Sequence, residues 1–309
     1  MKKTSILDCT LRDGGYINEW RFGKKAIKDI VSSLSEAGMD VIECGFLDDV
    51  VYDPDASLYS CVTQITPFIA PKKPGTLYVA MIALGDISPD KILPCDGTSI
   101  DGIRLTFHRH EWEEAKMVAR QFMEKGYKVF VQPVGTTAYT DRELLNLISD
   151  VNALQPYAFY LVDTLGILYR HDLLRFFYLI DHNLDANIKV GFHSHNNLQL
   201  SFANAQELIR TDSTRDIIID ASVYGMGRGV GNLSTELLAE YVNVNIAPKY
   251  CITPLLSIAD KYLMSIYSEQ RWGYDLPYFL SATVKCHPNY AAHLLKKGTL
   301  TIEDISKLL

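Results

Sequence analysis

Eight short, strongly apolar runs recur along the chain, and each is followed by a longer stretch with helical periodicity. Their valine, isoleucine, leucine and phenylalanine residues are often nearly continuous, which is typical of parallel strands covered on both faces. The runs are Ser5–Thr10, Val41–Phe46, Leu77–Ala83, Gly102–Phe107, Lys128–Val134, Ala158–Asp163, Lys189–His195 and Ile217–Tyr224. This alternation favours a parallel sheet whose crossover connections are helices.

The number and spacing of the runs favour a closed barrel over an open sheet. They begin roughly 25–36 residues apart, and eight such units fill about 245 residues, the usual size of a (β/α)8 barrel. An open doubly wound sheet typically stops at about five to seven strands. We therefore predict a TIM barrel over residues 1–247 and a C-terminal helical extension over residues 248–309. The helices predicted in the extension are Leu255–Tyr267, Tyr290–Lys297 and Ile302–Leu309.

The composition excludes several classes of function. A content of 48% hydrophobic and 22% charged residues allows a large buried core, as in soluble globular proteins. The formal net charge of −7 argues against a nucleic-acid or membrane-surface partner, because both need a basic face. The six cysteines show no C-x-x-C spacing, and the N-terminus lacks the apolar stretch of a signal peptide. We expect a cytoplasmic protein with reduced thiols.

Two histidines end the seventh predicted strand. His193 and His195 are two residues apart, so their side chains lie on the same face of the strand. Active sites of barrels lie at the carboxyl ends of the strands, where two imidazoles would form half of the coordination shell of a divalent cation. The alternative is a pair of histidines that are simply hydrogen-bonded in a polar layer.

The first and eighth predicted strands end in further polar or glycine-rich segments. Asp8 and Asp13 are candidate oxygen ligands, and Arg12 is a permanent cation suited to a carboxylate or a developing enolate. An ordinary Asp–Arg pair beside a Gly-Gly turn is the alternative. After strand eight, residues 225–232 read GMGRGVGN, which is neither a dinucleotide fingerprint nor a phosphate-binding loop. This segment is either a substrate loop or a plain connector.

Taken together and in this order, these segments resemble a known signature. Asp8-x-Thr10-Leu11-Arg12-Asp13-Gly14, His193-x-His195-Asn196 and Gly225-x-Gly227…Gly231-Asn232 are similar to the motifs of the metal-dependent pyruvate-aldolase and HMG-CoA lyase superfamily of TIM barrels. Within that superfamily, the 4-hydroxy-2-oxovalerate aldolases show the greatest likeness. The resemblance implies a divalent-metal-dependent carbon–carbon lyase, an aldolase that forms or cleaves a 4-hydroxy-2-oxo acid through a pyruvate enolate and an aldehyde.

The resemblance also implies roles for individual residues. It assigns one Mn²⁺ or Mg²⁺ ion to Asp13, His193 and His195, with Asn232 where some relatives supply another ligand. The expected catalytic residues are Arg12, which would stabilise the enolate, together with Tyr16 and Tyr290. The expected substrate-binding residues are His108, Asp163, Thr164, Gly227 and Gly229.

One position departs from the family pattern. Tyr16 lies where the aldolases have a histidine thought to act as a base and the synthases usually have glutamine. A tyrosine can donate a proton to an aldehyde oxygen, but its ordinary pKa near 10 makes it a poor base at neutral pH. His108, His287 and Tyr290 are the alternative proton acceptors.

Two other functions remain open from the sequence. One is a Claisen-type synthase that joins an acyl-CoA to a 2-oxo acid, as isopropylmalate and homocitrate synthases do. The other is a non-catalytic barrel kept as a binding module. The expected partners are a 2-oxo acid and an aldehyde, and self-association into a homo-oligomer is compatible with the sequence. The aldehyde dehydrogenase subunit of the related aldolases docks on a C-terminal region that is shorter and divergent here, so we do not extend that partner to this chain.

Overall fold

In the computed structural model, which describes residues 3–309, eight parallel strands pair side by side and close into a barrel. The strands are β1 (Thr4–Asp8), β2 (Val41–Leu47), β3 (Leu58–Tyr59), β4 (Leu77–Ala83), β5 (Gly102–Phe107), β6 (Lys128–Pro133), β7 (Ala158–Asp163), β8 (Lys189–Ser194) and β9 (Ile217–Ala221). All except β3 form the barrel, which closes because β1 pairs with both β2 and β9. The predicted TIM-barrel fold is therefore confirmed.

The helices surround the barrel and continue beyond it. They are α1 (Gly15–Asn18), α2 (Lys24–Ala37), α3 (Thr66–Ile69), α4 (Trp112–Glu124), α5 (Asp141–Leu154), α6 (Arg170–Asn183), α7 (Ser201–Arg210), α8 (Thr235–Asn245), α9 (Thr253–Ile258), α10 (Met264–Glu269), α11 (Leu276–Thr283), α12 (Pro288–Lys296) and α13 (Ile302–Leu308). Helix α5 illustrates why they form. Thr140 and Glu143 cap its first turn reciprocally, and its apolar stripe from Leu144 to Leu154 is buried.

One connection differs from the predicted alternation of strand and helix. Between β4 and β5 the structure has only a single 3-10 turn, Pro89–Lys91. Proline at positions 89 and 94 removes backbone donors, and Gly85 and Gly97 adopt positive φ angles of 92° and 80°. These residues interrupt helical hydrogen bonding too often for a full helix to form.

The barrel interior contains a layer of apolar side chains and, next to it, a layer of charged side chains. The apolar layer includes Leu7, Val79, Phe130 and Ile218, all almost completely buried. Above it, Tyr160 crosses the face of Gly191, where a Cβ atom would lie 2.1 Å from the tyrosine ring. Only glycine leaves room for the tyrosine ring at this position. The tyrosine hydroxyl can therefore reach a carboxylate of the charged layer.

The C-terminal helices pack against the barrel and reach its mouth. The predicted helix Leu255–Tyr267 is present as α9 and α10, joined by a π-helical turn over Ala259–Leu263, and α12 and α13 match the other two predictions. Helix α11 was not predicted. It begins directly after Asp275 with a proline in its first turn, a favourable position for that residue. The division of the chain into two domains at residue 247 stays a prediction.

Within residues 3–309, none of the helices combines the length and the apolar character that crossing a lipid bilayer requires.

Candidate active site

A cavity of about 690 Å³ opens at the carboxyl ends of the barrel strands. Its size lies in the range of small-molecule sites. Eight of the residues singled out in the sequence line it, although they are spread over 276 positions of the chain from Arg12 to His287. They are Arg12, Asp13, Tyr16, His108, Thr164, His193, His195 and His287. The parallel strands bring these residues together because all strand ends open on the same face.

Asp13, His193 and His195 form a compact group at the base of the cavity. The Nε2 atom of His193 lies 3.3 Å from Oδ2 of Asp13, and the rings of the two histidines are 5.2 Å apart and nearly perpendicular. Asp13 and His193 are almost entirely buried. Two donors about 3 Å apart are close enough to share one cation, since direct ligation takes place at roughly 2 Å.

The charges around this group keep its donor atoms ready for a cation. Burial alone would raise the pKa of Asp13, but Arg12 and His193 hold it well below its usual range. Burial lowers the pKa of His195 to about 4, and His193 and Arg12 act in the same direction. At neutral pH the group therefore offers a carboxylate and a neutral imidazole, which are the forms that bind metals.

Several atoms here that could bind a metal lack hydrogen-bond partners within residues 3–309. Both carboxylate oxygens of Asp13, Nδ1 of His195 and Oδ1 of Asn232 are buried without one. Unsatisfied buried polar atoms are costly, and a bound cation is one way to satisfy them. Asn232 is held beside His195 by a backbone bridge, while its Nδ2 donates to the carbonyl of Met226 at 3.2 Å. The residues present thus fit an oxygen- and nitrogen-liganded divalent cation.

The thiol of Cys9 also lies near this group, which the sequence did not indicate. Its sulfur is within 4.8 Å of donor atoms of Asp13 and His193. However, the thiol donates to the carbonyl of Ala221 at 3.2 Å, and burial raises its pKa well above the usual value. Cys9 therefore behaves as a small buried neutral side chain.

A closed circuit of alternating charges supports the site from below. Arg12 Nε donates to Oε2 of Glu43 at 2.8 Å, and Arg104 Nη1 forms an ion pair with the same oxygen at 2.6 Å. Arg104 also pairs with Asp220, whose Oδ2 lies 3.0 Å from Nδ1 of His193. His193 Nε2 in turn lies beside the carboxylate of Asp13, which is paired with Arg12, and this contact closes the circuit.

This charge circuit consists of six buried side chains from five strands or strand ends and orients the site. They are Arg12, Asp13, Glu43, Arg104, His193 and Asp220. With Asp220 facing Nδ1 of His193, the Nε2 atom is directed to Asp13, the arrangement usual for a metal-binding imidazole. Glu43, Arg104 and Asp220 were not among the site residues expected from the sequence.

Tyr16 lines the cavity and packs against other aromatic rings. Its ring packs edge-on against Trp20 and Phe46, with centroids 4.8 Å and 6.2 Å away. Burial raises the pKa of Tyr16 and outweighs the opposing effect of Arg12. The hydroxyl is therefore protonated at neutral pH, so it can donate a proton but is a poor base.

The other expected substrate-binding residues occupy varied positions. Thr164 lines the cavity and accepts a hydrogen bond from the amide of Gly135 at 2.9 Å. Asp163 does not line it. Its carboxylate accepts from the backbone amides of Ile167 and Leu168, both at 3.0 Å, and burial raises its pKa to about 6. Asp163 thus organises the loop after β7.

The glycine-rich segment contributes a residue that the sequence interpretation passed over. Neither Gly227 nor Gly229 lines the cavity, but Arg228 between them does. Gly227 is required by packing, since a Cβ atom there would lie 2.3 Å from Nδ2 of Asn232. Tyr290 also lies outside the cavity lining, with 64% of its surface exposed, whereas His287 from the same segment faces the cavity.

Comparison with known proteins identifies the family of the chain. The HMGL-like family model matches residues 106–260, about half of the chain. A 4-hydroxy-2-oxovalerate aldolase from Geobacillus genomosp. 3 is 29% identical over 238 residues, covering 75% of this chain and 68% of the relative. An oxaloacetate decarboxylase from Mycobacterium tuberculosis is 26% identical over 243 residues, with 75% and 68% of the two chains covered.

Solved structures show the same fold. A crystal structure of the N-terminal domain of a Bacteroides vulgatus protein, described as an aldolase, superposes with a TM-score of 0.84 at 25% identity, covering 99% of this chain and 100% of that one. An HMG-CoA lyase from Bacillus subtilis gives a TM-score of 0.68 at 15% identity over 87% and 94% of the two chains. The alternative of a non-catalytic binding module is set aside. The chain belongs to the HMGL-like family and is an enzyme of the carbon–carbon lyase class.

Proposed function

We propose that the protein is a divalent-metal-dependent aldolase that forms or cleaves a 4-hydroxy-2-oxo acid from pyruvate and an aldehyde. One observation carries the proposal. At the base of the cavity, Asp13, His195 and Asn232 have metal-ligating atoms that lack hydrogen-bond partners within residues 3–309. Buried polar atoms that lack a hydrogen bond indicate that a ligand belongs there. The relatives named 4-hydroxy-2-oxovalerate aldolase support the choice of reaction.

In this proposal Asp13, His193 and His195 hold one Mn²⁺ or Mg²⁺ ion, and Oδ1 of Asn232 is available to it. A carboxylate with two imidazoles and remaining open positions suits these ions and a chelating 2-oxo acid. When bound, such an ion supplies Lewis-acid polarisation of the 2-oxo group. The Asp220–His193 contact would fix the imidazole in the orientation that binding needs.

Arg12 is the residue that we assign to the enolate. Its Nε is occupied by Glu43, and its Nη1 lies 3.4 Å from Asp13. Its Nη2 is buried and has no partner among the described residues. The free Nη2 group can therefore donate to the oxygen on which negative charge develops when pyruvate loses a methyl proton.

We assign the transfer of a proton to the aldehyde to Tyr16. In the direction of synthesis, the methyl proton of pyruvate passes to the solvent, which also returns a proton to Tyr16 at the end of the reaction. C3 of the enolate attacks the carbonyl carbon of the aldehyde, the new carbon–carbon bond forms, and the electron pair of the C=O bond moves to the oxygen. The former carbonyl oxygen then takes a proton from the Tyr16 hydroxyl, and cleavage reverses these steps. The raised pKa of Tyr16 keeps that proton in place before the reaction.

Replacing Tyr16 with phenylalanine separates the two halves of the reaction, enolate formation and aldol addition. Tyr16→Phe is expected to lower the rate of aldol addition about 10²-fold or more, because it removes the proton donor. Enolate formation needs no aldehyde and should be far less affected. Steady-state addition and the exchange of pyruvate methyl protons for deuterium measure the two halves. An equal loss of both would contradict the assignment of Tyr16.

The proposal itself is tested by deuterium exchange into pyruvate, followed by mass spectrometry. Protein treated with a chelator is expected to lose the exchange, and Mn²⁺ or Mg²⁺ to restore it. His193→Ala should abolish the restored exchange, whereas His171→Ala, at a largely exposed histidine on α6, should leave it intact. Absence of exchange in metal-loaded wild-type protein would refute the enolate mechanism.

A second reaction shares the same enolate. The oxaloacetate decarboxylase among the relatives raises decarboxylation of a 2-oxo dicarboxylic acid as a second candidate. It predicts that oxaloacetate is consumed without any aldehyde. A Claisen-type synthase instead predicts that acetyl-CoA is consumed in the presence of a 2-oxo acid. Parallel assays with the three sets of substrates distinguish these reactions.

A further inference from the structure

The lining of the cavity includes basic side chains from three separate segments. Arg228 belongs to the loop after β9, His108 follows β5, and His287 precedes α12. All three line the same cavity as Asp13 and Tyr16. None of them belongs to the charge circuit under the site, so the guanidinium of Arg228 and a ring nitrogen of each of the two histidines are available to a ligand in the cavity.

Arg228 is the principal member of this basic group. Its guanidinium carbon lies 5.4 Å from the centroid of the Tyr16 ring, and the side chain is half-buried. Within residues 3–309 its guanidinium forms no ion pair or hydrogen bond, whereas the buried Arg12, Arg104 and Arg215 are each paired with carboxylates. A half-buried cation that faces a cavity without a counter-ion is suited to an anionic ligand.

His287 adds a hydrogen-bond donor beside this cation. Its Nδ1 accepts from the backbone amide of Asn289 at 3.2 Å, which assigns the proton of the neutral ring to Nε2. Burial lowers the pKa of His287, and the nearby positive charges of Arg228 and His108 lower it further. His287 also caps the nine-residue helix α12, and Asn289 in its first turn lines the cavity. The positive end of that helix therefore faces the same space.

The cavity lining also includes the carboxylates of Asp48, Asp86 and Glu111. Burial together with the charge of Asp48 raises the pKa of Asp86. The charges of both Asp86 and Arg228 act on the hydroxyl of Tyr16. An acceptor whose carbonyl oxygen meets Tyr16 would have any anionic substituent drawn to Arg228 and repelled by the aspartates.

We propose that Arg228, assisted by His287 and His108, binds a carboxylate or phosphate on the aldehyde, so that the preferred acceptor is an anionic aldehyde. The inference rests on the proposed function, because it specifies the second substrate of that reaction. Arg228 acts as a specificity-determining residue. The shared chemistry of the ligand is a compact oxyanion that a guanidinium can bind through two hydrogen bonds.

Matched pairs of aldehydes test this inference. Glyceraldehyde 3-phosphate is compared with glyceraldehyde for a phosphate, and succinic semialdehyde with butyraldehyde for a carboxylate. Wild-type protein should prefer the charged member of at least one pair, and the pair that shows the preference identifies the anion. Arg228→Gln is expected to raise KM for that charged aldehyde about 10- to 100-fold, as expected for loss of a charge-assisted contact. Any change for the neutral aldehyde should be much smaller.

Two further variants serve as controls. Arg228→Lys keeps the charge and should recover part of the preference, while Arg120→Gln, at an exposed arginine on α4, should behave as wild type. Equal use of charged and neutral aldehydes by the wild type would overturn the inference. An equal loss of both in Arg228→Gln would overturn it as well.

A binding measurement separates failure of this inference from failure of the proposed function. Glycerol 3-phosphate and 4-hydroxybutyrate carry the anions but have no aldehyde, so calorimetry follows their binding without catalysis. Weaker binding of either to Arg228→Gln than to wild type supports the anion site even if pyruvate exchange is absent and the aldolase proposal fails. Binding that does not depend on Arg228 overturns the site even if pyruvate exchange is present.

Discussion

Asp13→Ala is expected to lower the rate of pyruvate methyl exchange by about 10³-fold or more. Lewis-acid stabilisation of a developing enolate contributes several kcal/mol, and each 1.36 kcal/mol corresponds to about a factor of ten in rate. Asp13 supplies the only carboxylate among the proposed ligands, and it also holds Nε2 of His193 at 3.3 Å. Its removal should therefore reduce both the affinity for the cation and the order of the site.

Two measurements check this result. Exchange into pyruvate gives the loss of rate, and elemental analysis of protein dialysed against Mn²⁺ gives the metal content, which should fall well below one ion per chain. Asp260→Ala, at an exposed carboxylate in the π-helical turn, is the matched control and should retain both. If Asp13→Ala binds Mn²⁺ as tightly as the wild type, the proposed set of ligands is wrong.

The second large effect concerns stability. Arg104→Met is expected to lower the free energy of unfolding by about 3–5 kcal/mol, because it leaves buried carboxylates without their counter-ion. Arg104 is fully buried, pairs with both Glu43 and Asp220, and stacks 5.0 Å from the ring of Tyr160. Methionine fills much of the volume, so the loss arises mainly from charge.

Denaturant unfolding of a double-mutant cycle tests the cause of that loss. Asp220→Asn removes one of the uncompensated charges, so the double variant Arg104→Met/Asp220→Asn should be more stable than the sum of the two single effects. Strictly additive effects would show that Arg104 contributes through packing alone. Pyruvate exchange in Arg104→Met that survives despite a large loss of stability would likewise argue that the circuit does not orient the site.

The apolar runs predicted the strands well because a strand covered on both faces must be apolar along its whole length. The position of His193 and His195 followed from the alternation of side chains along a strand. Elements held by long-range contacts were harder to predict. Helix α11 lacks a strong apolar stripe, and its tyrosine Tyr278 packs near Gly229 of the loop after β9, a contact made only in the folded chain.

The sequence by itself determined the barrel, its polar strand ends and the motif shared with the family, because these depend on local periodicity and on the rule that parallel strand ends share one face. Only the tertiary structure decided which charges are paired. The sequence alone does not show which arginine is paired. Arg104 forms ion pairs with two carboxylates, whereas the side chain of Arg228 faces the cavity and has no ion-pair partner among residues 3–309. That difference arises because charges meet through side chains of distant segments, whose distances are set by closure of the barrel and not by the spacing of residues along the chain.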